Sequence, residues 1–102
     1  MTNLVDVRNN KLYSGVTRIN QVRFQEGTDR RITVIFNYNG GDGAFEVYVK
    51  EGVSSNNKAP FLIEVYELIT SMINDPGNYI TVEKIAERIN EIEITDWARD
   101  CI

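Results

Sequence analysis

Two stretches of this chain have residue types and spacings that could do chemistry. The first is Asn37–Phe45, NYNGGDGAF, in which Gly40, Gly41 and Gly43 surround Asp42. Glycines this dense either let backbone N–H groups cradle an anion or let a chain reverse sharply. The second is the carboxylate series after Thr81: Glu83, Glu87 and Glu91, then Glu93, Asp96 and Asp100, with Trp97 among them. Four-residue spacing stacks the first three on one helix face, where like charges are mildly unfavourable. Such a stripe adds nothing to helix stability. It offers a carboxylate surface that steers and selects a basic partner.

Histidine is absent altogether, which removes Ser-His-Asp and Cys-His relays, imidazole metal sites and the commonest general base. The one cysteine, Cys101, cannot form an intrachain disulfide, and the expectation is a reducing compartment. No carboxylate pair is visibly sheltered as a catalytic acid and base would be. The chain therefore reads as non-catalytic, with no cofactor and no metal.

The glycine cluster fails each ligand-binding pattern. A Walker loop needs Lys-Ser/Thr after its glycines, whereas Ala44-Phe45 follow here. A dinucleotide fingerprint would place its third glycine at Glu46, inside a strand pattern. Asn37, Asn39 and Asp42 miss the alternation of a calcium loop. The run Gly40–Phe45 also resembles the Gly-Gly-Asp/Glu-Glu-Phe signature of diguanylate cyclases, but Gly43 stands where an acid is required and the chain is far too short. What remains is a hairpin loop over Asn39–Asp42.

Periodicity supplies the elements that must hold these residues. In Arg31–Tyr38 the even positions Ile32, Val34, Phe36 and Tyr38 are apolar, and in Ala44–Lys50 the odd positions Phe45, Val47 and Val49. Both are half-buried strand patterns. Upstream, Val22 and Phe24 share a face before a turn at Glu26–Asp29. Pairing Phe24 with Ile32 and Phe36 with Phe45 puts Val22, Phe24, Ile32, Val34, Phe36, Phe45, Val47 and Val49 on one face of a three-stranded meander, a demand any one-residue slip would violate. Leu4–Tyr13 adds strand character around an Asn9-Asn10 turn, and the pattern slips near Asn20, as at a bulge.

After residues 52–59, a polar linker, the period changes to 3.6. Pro60 opens a helix over 60–74 whose apolar arc is wide enough for two packing partners. Asp75-Pro76-Gly77-Asn78 is a turn, and Thr81 caps a second helix over 81–91 with Val82, Ile85, Ala86 and Ile89 inward. Thr95 or Asp96 caps a possible third. The expectation is one α+β domain of 102 residues: residues 1–51 mainly β, 60–102 mainly α, with the meander covered on one face by C-terminal helices.

Charge is divided unevenly along the chain. Residues 1–58 hold eight basic and six acidic side chains, residues 59–102 three basic and nine acidic, within a net charge of −4. No run approaches a membrane span and the N-terminus has no apolar leader core, so a cytoplasmic location is expected. The leading reading is a protein-interaction module whose acidic helical half (Glu83, Glu87, Glu91, Glu93, Asp96, Trp97, Asp100) docks on a basic macromolecular surface. Size and charge are those of small immunity proteins and phage-encoded inhibitors, including anti-CRISPR proteins and other DNA mimics. A homodimer or virion-assembly contact through helix 60–74 is one alternative. Single-stranded nucleic acid on the outer sheet face (Arg23, Arg31, Tyr48, Lys50) is another, opposed by Glu46 and the overall acidity. A DNA-reading helix-turn-helix over 81–102 is excluded, because Asp96 and Asp100 would face phosphates.

Overall fold

The computed structural model describes residues 2–74 and 79–92. Its elements run β1 (Thr2–Asp6), β2 (Lys11–Val16), β3 (Arg18–Phe24), β4 (Arg31–Tyr38), β5 (Gly41–Tyr48), α1 (Lys58–Asn74), β6 (Tyr79–Thr81) and α2 (Val82–Ile89). The α+β class is as expected. The strands form two three-stranded sheets, ordered β3-β4-β5 and β2-β1-β6.

The meander is the first of these. β4 lies at its centre because its even positions carry the densest apolar run, and Ile32, Val34 and Phe36 are wholly removed from solvent. Phe24 pairs with Ile32 and Val22 with Val34, as the alternation requires, and the register slips between Ile19 and Gln21 beside Asn20. The β4–β5 pairing corrects the expected register by two residues. Phe36 lies opposite Gly43, Val34 opposite Phe45 and Ile32 opposite Val47. A two-residue shift leaves every side chain on its expected face, so alternation alone could not distinguish the two pairings.

Two local facts select the observed one. The strands reverse through Asn39-Gly40 alone, with Gly41 at φ +125°, in the left-handed region open to glycine. Gly43 gives the Phe36 ring room: a Cβ there would stand 2.6 Å from Phe36 Cζ and 3.0 Å from Tyr13 Cε1. Into that space Tyr13 packs edge-on against Phe36, centroids 4.9 Å apart. The same Tyr13 ring is 5.0 Å from Tyr38, so β2 of the second sheet is tied into the aromatic end of the first. Backbone bonds from Thr17 N to Asn37 O and Asn39 N to Ser14 O, both 3.0 Å, complete that corner.

The second sheet begins as a β1–β2 hairpin. Buried Asp6 shapes its turn, accepting bonds from Asn9 N (3.3 Å) and Asn9 Nδ2 (2.8 Å), while Asn10 takes φ +54°. β6 joins parallel to β1, pairing Leu4 with Ile80. This strand interrupts the helical half and has no periodic signature, being three residues long. The 52–59 segment is anchored, since Val53 and Asn57 are buried.

Helix α1 begins before Pro60, which is its third residue and not its first. Proline is tolerated there because the first-turn N–H groups have no intrahelical acceptor. The placement has a cost: Asn57, whose carbonyl accepts Phe61 N, has a buried Oδ1 with no partner. An N-capping side chain ordinarily accepts from the second or third helical N–H, and the third is proline. Phe61, Val65, Ile69 and Ile73 are the buried stripe of α1, with Phe61 stacked on Phe24 at 6.1 Å.

Gly43→Ala should lower stability by roughly 1–3 kcal/mol, the usual cost of forcing extra volume into a packed site. A urea midpoint unchanged from wild type would mean that the Phe36–Tyr13 packing does not depend on the missing Cβ.

Candidate functional site

Helix α2 positions the first carboxylates. Thr81 Oγ1 accepts from Lys84 N at 3.0 Å, an N-cap as expected, and burial of Val82, Ile85 and Ile89 turns the opposite side of the helix outward. Glu83, Glu87 and Glu91 are accordingly exposed. The helix is pinned at both ends. At the start, Glu83 Oε2 accepts from Arg8 N of the β1–β2 turn at 3.4 Å. At the finish, Asn90 Oδ1 accepts from Lys50 N (2.8 Å) and Asn90 Nδ2 donates to Tyr48 O (2.9 Å).

That last pair resembles a strand pairing. Val49 N donates to Arg30 O, toward β4, so the backbone groups of Tyr48 O and Lys50 N point away from the sheet. The Asn90 carboxamide satisfies both with its oxygen and one N–H, as a neighbouring peptide unit would, while Nδ2 also donates to Ala86 O at 2.9 Å. No periodicity marks Asn90; its role follows from where the edge of β5 meets α2.

The structure adds two acids that the sequence reading left out. Glu64 and Glu67 of α1 face Arg88 and Glu91 across an open cleft of about 610 Å³ between the two helices, with Leu68, Ser71 and Ile92 completing the lining. The signal was available: Glu64 and Glu67 are the two charges that interrupt an otherwise apolar helix. Two ion pairs form among the described residues, Lys84–Glu87 and Arg88–Glu91, each 3.5 Å and solvent-exposed. Exposed pairs of this kind contribute roughly 0–1 kcal/mol. Glu64 and Glu67 have no such pair among the described residues. Glu93, Asp96, Trp97, Asp100 and Cys101 lie outside the described residues.

The alternative face is arranged differently from its expectation. Arg31 is opposite Tyr48, and Arg23 and Glu46 both flank Thr33. The Tyr48 ring is taken by Arg30, whose guanidinium carbon lies 5.0 Å from its centroid while Nη2 donates to Lys50 O. A base would have to displace that arginine from one side of the ring or stack on the other. Among the described residues no three of His, Cys, Asp and Glu are grouped to hold a metal ion, and no helix is long and apolar enough to cross a membrane. No protein-family model, curated protein or solved structure matches this chain.

Asn90→Ala removes the partners of Lys50 N and Tyr48 O at once and should cost roughly 1–3 kcal/mol. Lys84→Ala, which removes only an exposed ion pair, should change stability by about 0.5 kcal/mol or less. Chemical denaturation of both variants checks the ranking, and equal losses would refute the edge-closing role.

Proposed function

We propose that this chain is a non-catalytic protein-interaction module that captures a basic surface of a macromolecular partner on its acidic helical face. The observation that carries the reading is the α1–α2 cleft, whose lining sets Glu64, Glu67 and Glu91 beside the apolar Leu68 and Ile92, with Ser71 and the Glu91-paired Arg88 completing it. Carboxylates beside apolar side chains suit an amphipathic basic segment. Its cations meet the acids, its apolar side chains cover Leu68 and Ile92, and the complementary fields steer association. The Glu83–Glu87–Glu91 stripe extends the same negative surface along α2.

On this reading the protein acts by occupancy. A rigid acidic face that competes for a basic site elsewhere is how a small inhibitor, an immunity protein or a phage-encoded anti-defence protein of the DNA-mimic kind would work. Its place would be the cytoplasm of a bacterial host. Glu83, Glu87 and Glu91 contribute nothing to the core, so their reversal costs only the exposed Arg8 N–Glu83 bond and two exposed ion pairs.

Capture from a bacterial lysate, with the wild-type chain and Glu83→Lys/Glu87→Lys/Glu91→Lys compared side by side, tests the proposal. The wild type should retain a basic protein that elutes with salt, and the triple variant should lose at least ten-fold of it with an unchanged circular dichroism spectrum. Titration with an arginine-rich amphipathic peptide should shift the amide resonances of residues 64–68 and 88–92. Retention indifferent to the charge reversal would sink the idea.

A further inference from the structure

The outer face of the β2-β1-β6 sheet carries no charged side chain among the described residues. The pairings Val5↔Leu12, Val5↔Thr81 and Asn3↔Tyr79 put these five residues on one side, while Leu4, Tyr13 and Ile80 point to the core. Val7 continues the alternation beyond β1. Three of the six large exposed hydrophobics among the described residues belong to this face: Val7 at 63%, Leu12 at 62% and Tyr79 at 62% exposure. A quarter of the chain is charged, yet among the described residues the charged side chains Arg8, Lys11 and Glu83 line a groove at the hairpin-turn end of the sheet. Exposed apolar side chains grouped in this way, with only the uncharged Asn3 and Thr81 between them, suit contact with another surface.

Charge decides what that is. In a two-fold symmetric contact each patch meets its own copy, so any ionised residue near the axis faces a like charge. A chain of net charge −4 repels itself over most of its surface, and only an uncharged patch escapes that penalty. The other apolar candidate, Ile63 and Tyr66 on α1, sits beside Glu64 and Glu67 and would bring four carboxylates together across an axis. The basic partner drawn to the acidic cleft would find no carboxylate on the sheet face. From this we infer that the outer face of β2-β1-β6 is a self-association surface, on which two copies stack sheet against sheet about 10 Å apart with Leu12, Val5 and Tyr79 interleaved. The contact uses none of the cleft residues, so it stands or falls independently of the proposed function.

Sedimentation velocity over a concentration series into the high-micromolar range tests it. The wild-type chain should reach twice the 11.7 kDa chain mass. Leu12→Lys/Tyr79→Lys should stay at the single-chain mass throughout, with an unaltered circular dichroism spectrum, because both side chains are already exposed. Ile63→Lys/Tyr66→Lys should still double. Leu12→Thr/Tyr79→Thr, which keeps strand-forming residues, replaces the lysine variant if that one unfolds. A wild-type chain that stays single, or a double-mass species that survives Leu12→Lys/Tyr79→Lys, overturns the inference. So does dissociation caused only by the α1 substitutions. A single-chain species whose Tyr79 amide and ring resonances shift when residues 93–102 are deleted would hand the face to the chain's own C-terminal segment and overturn it equally.

Discussion

Burial of β4 is the constraint on which the remaining structure depends. Ile32, Val34 and Phe36 have no exposed surface, and each fully buried side chain of this size contributes roughly 1.5–3 kcal/mol relative to an exposed one. Keeping them dry needs a strand on either side and a cover on the apolar face. β3 and β5 are the strands; α1, α2 and Tyr13 of β2 contribute to the cover. The Phe36 ring sets the tolerance at one end, because it occupies the volume where residue 43 would have a Cβ. Glycine at 43 is thus a packing requirement. The run that looked like a ligand cradle is a turn followed by a cavity for an aromatic ring.

The same economy governs the boundary between the sheet and the helices. An edge strand is open to adventitious pairing along its unpaired backbone groups. β5 is such an edge, and Asn90 closes it at Tyr48 and Lys50 with a single side chain. Because Asn90 immediately follows α2, closing the edge also fixes the helix orientation and hence which way Glu87 and Glu91 point. One polar contact therefore links stability of the sheet to presentation of the acidic face. Arg30 on Tyr48 extends that polar seam around the end of the strand.

Charge is distributed in space differently from its distribution along the chain. The halves of the sequence differ in sign, yet Arg8 and Lys11 of the basic half lie beside Glu83 of the acidic half around one groove. Glu64 and Glu67, far from the 81–100 series in sequence, join Glu91. The uncharged outer face of β2-β1-β6 is a third kind of surface, with neither sign. Three regions of distinct character lie on so small a chain, and the proposed interaction role and the inferred self-association would each use a different one.

Much of this was legible from residue order. The period-two runs around Ile32–Tyr38 and Phe45–Val49, the slip at Asn20, the Thr81 cap and the inward Val82, Ile85 and Ile89 all depend on local alternation or a local cap, which neighbouring residues encode directly. The β4–β5 register was not legible to within two residues, because a shift of two preserves both faces and only the fit of Phe36 over Gly43 separates the choices. β6 could not be read because a three-residue strand has no period and owes its existence to pairing with β1, some 75 residues earlier. The acidic stripe of α2 was visible as a spacing. Its enlargement by Glu64 and Glu67, the edge-closing Asn90 and the uncharged sheet face were settled only when distant segments met. Spacing determines which side chains share a face of one element; what lies opposite that face is a property of the packed chain.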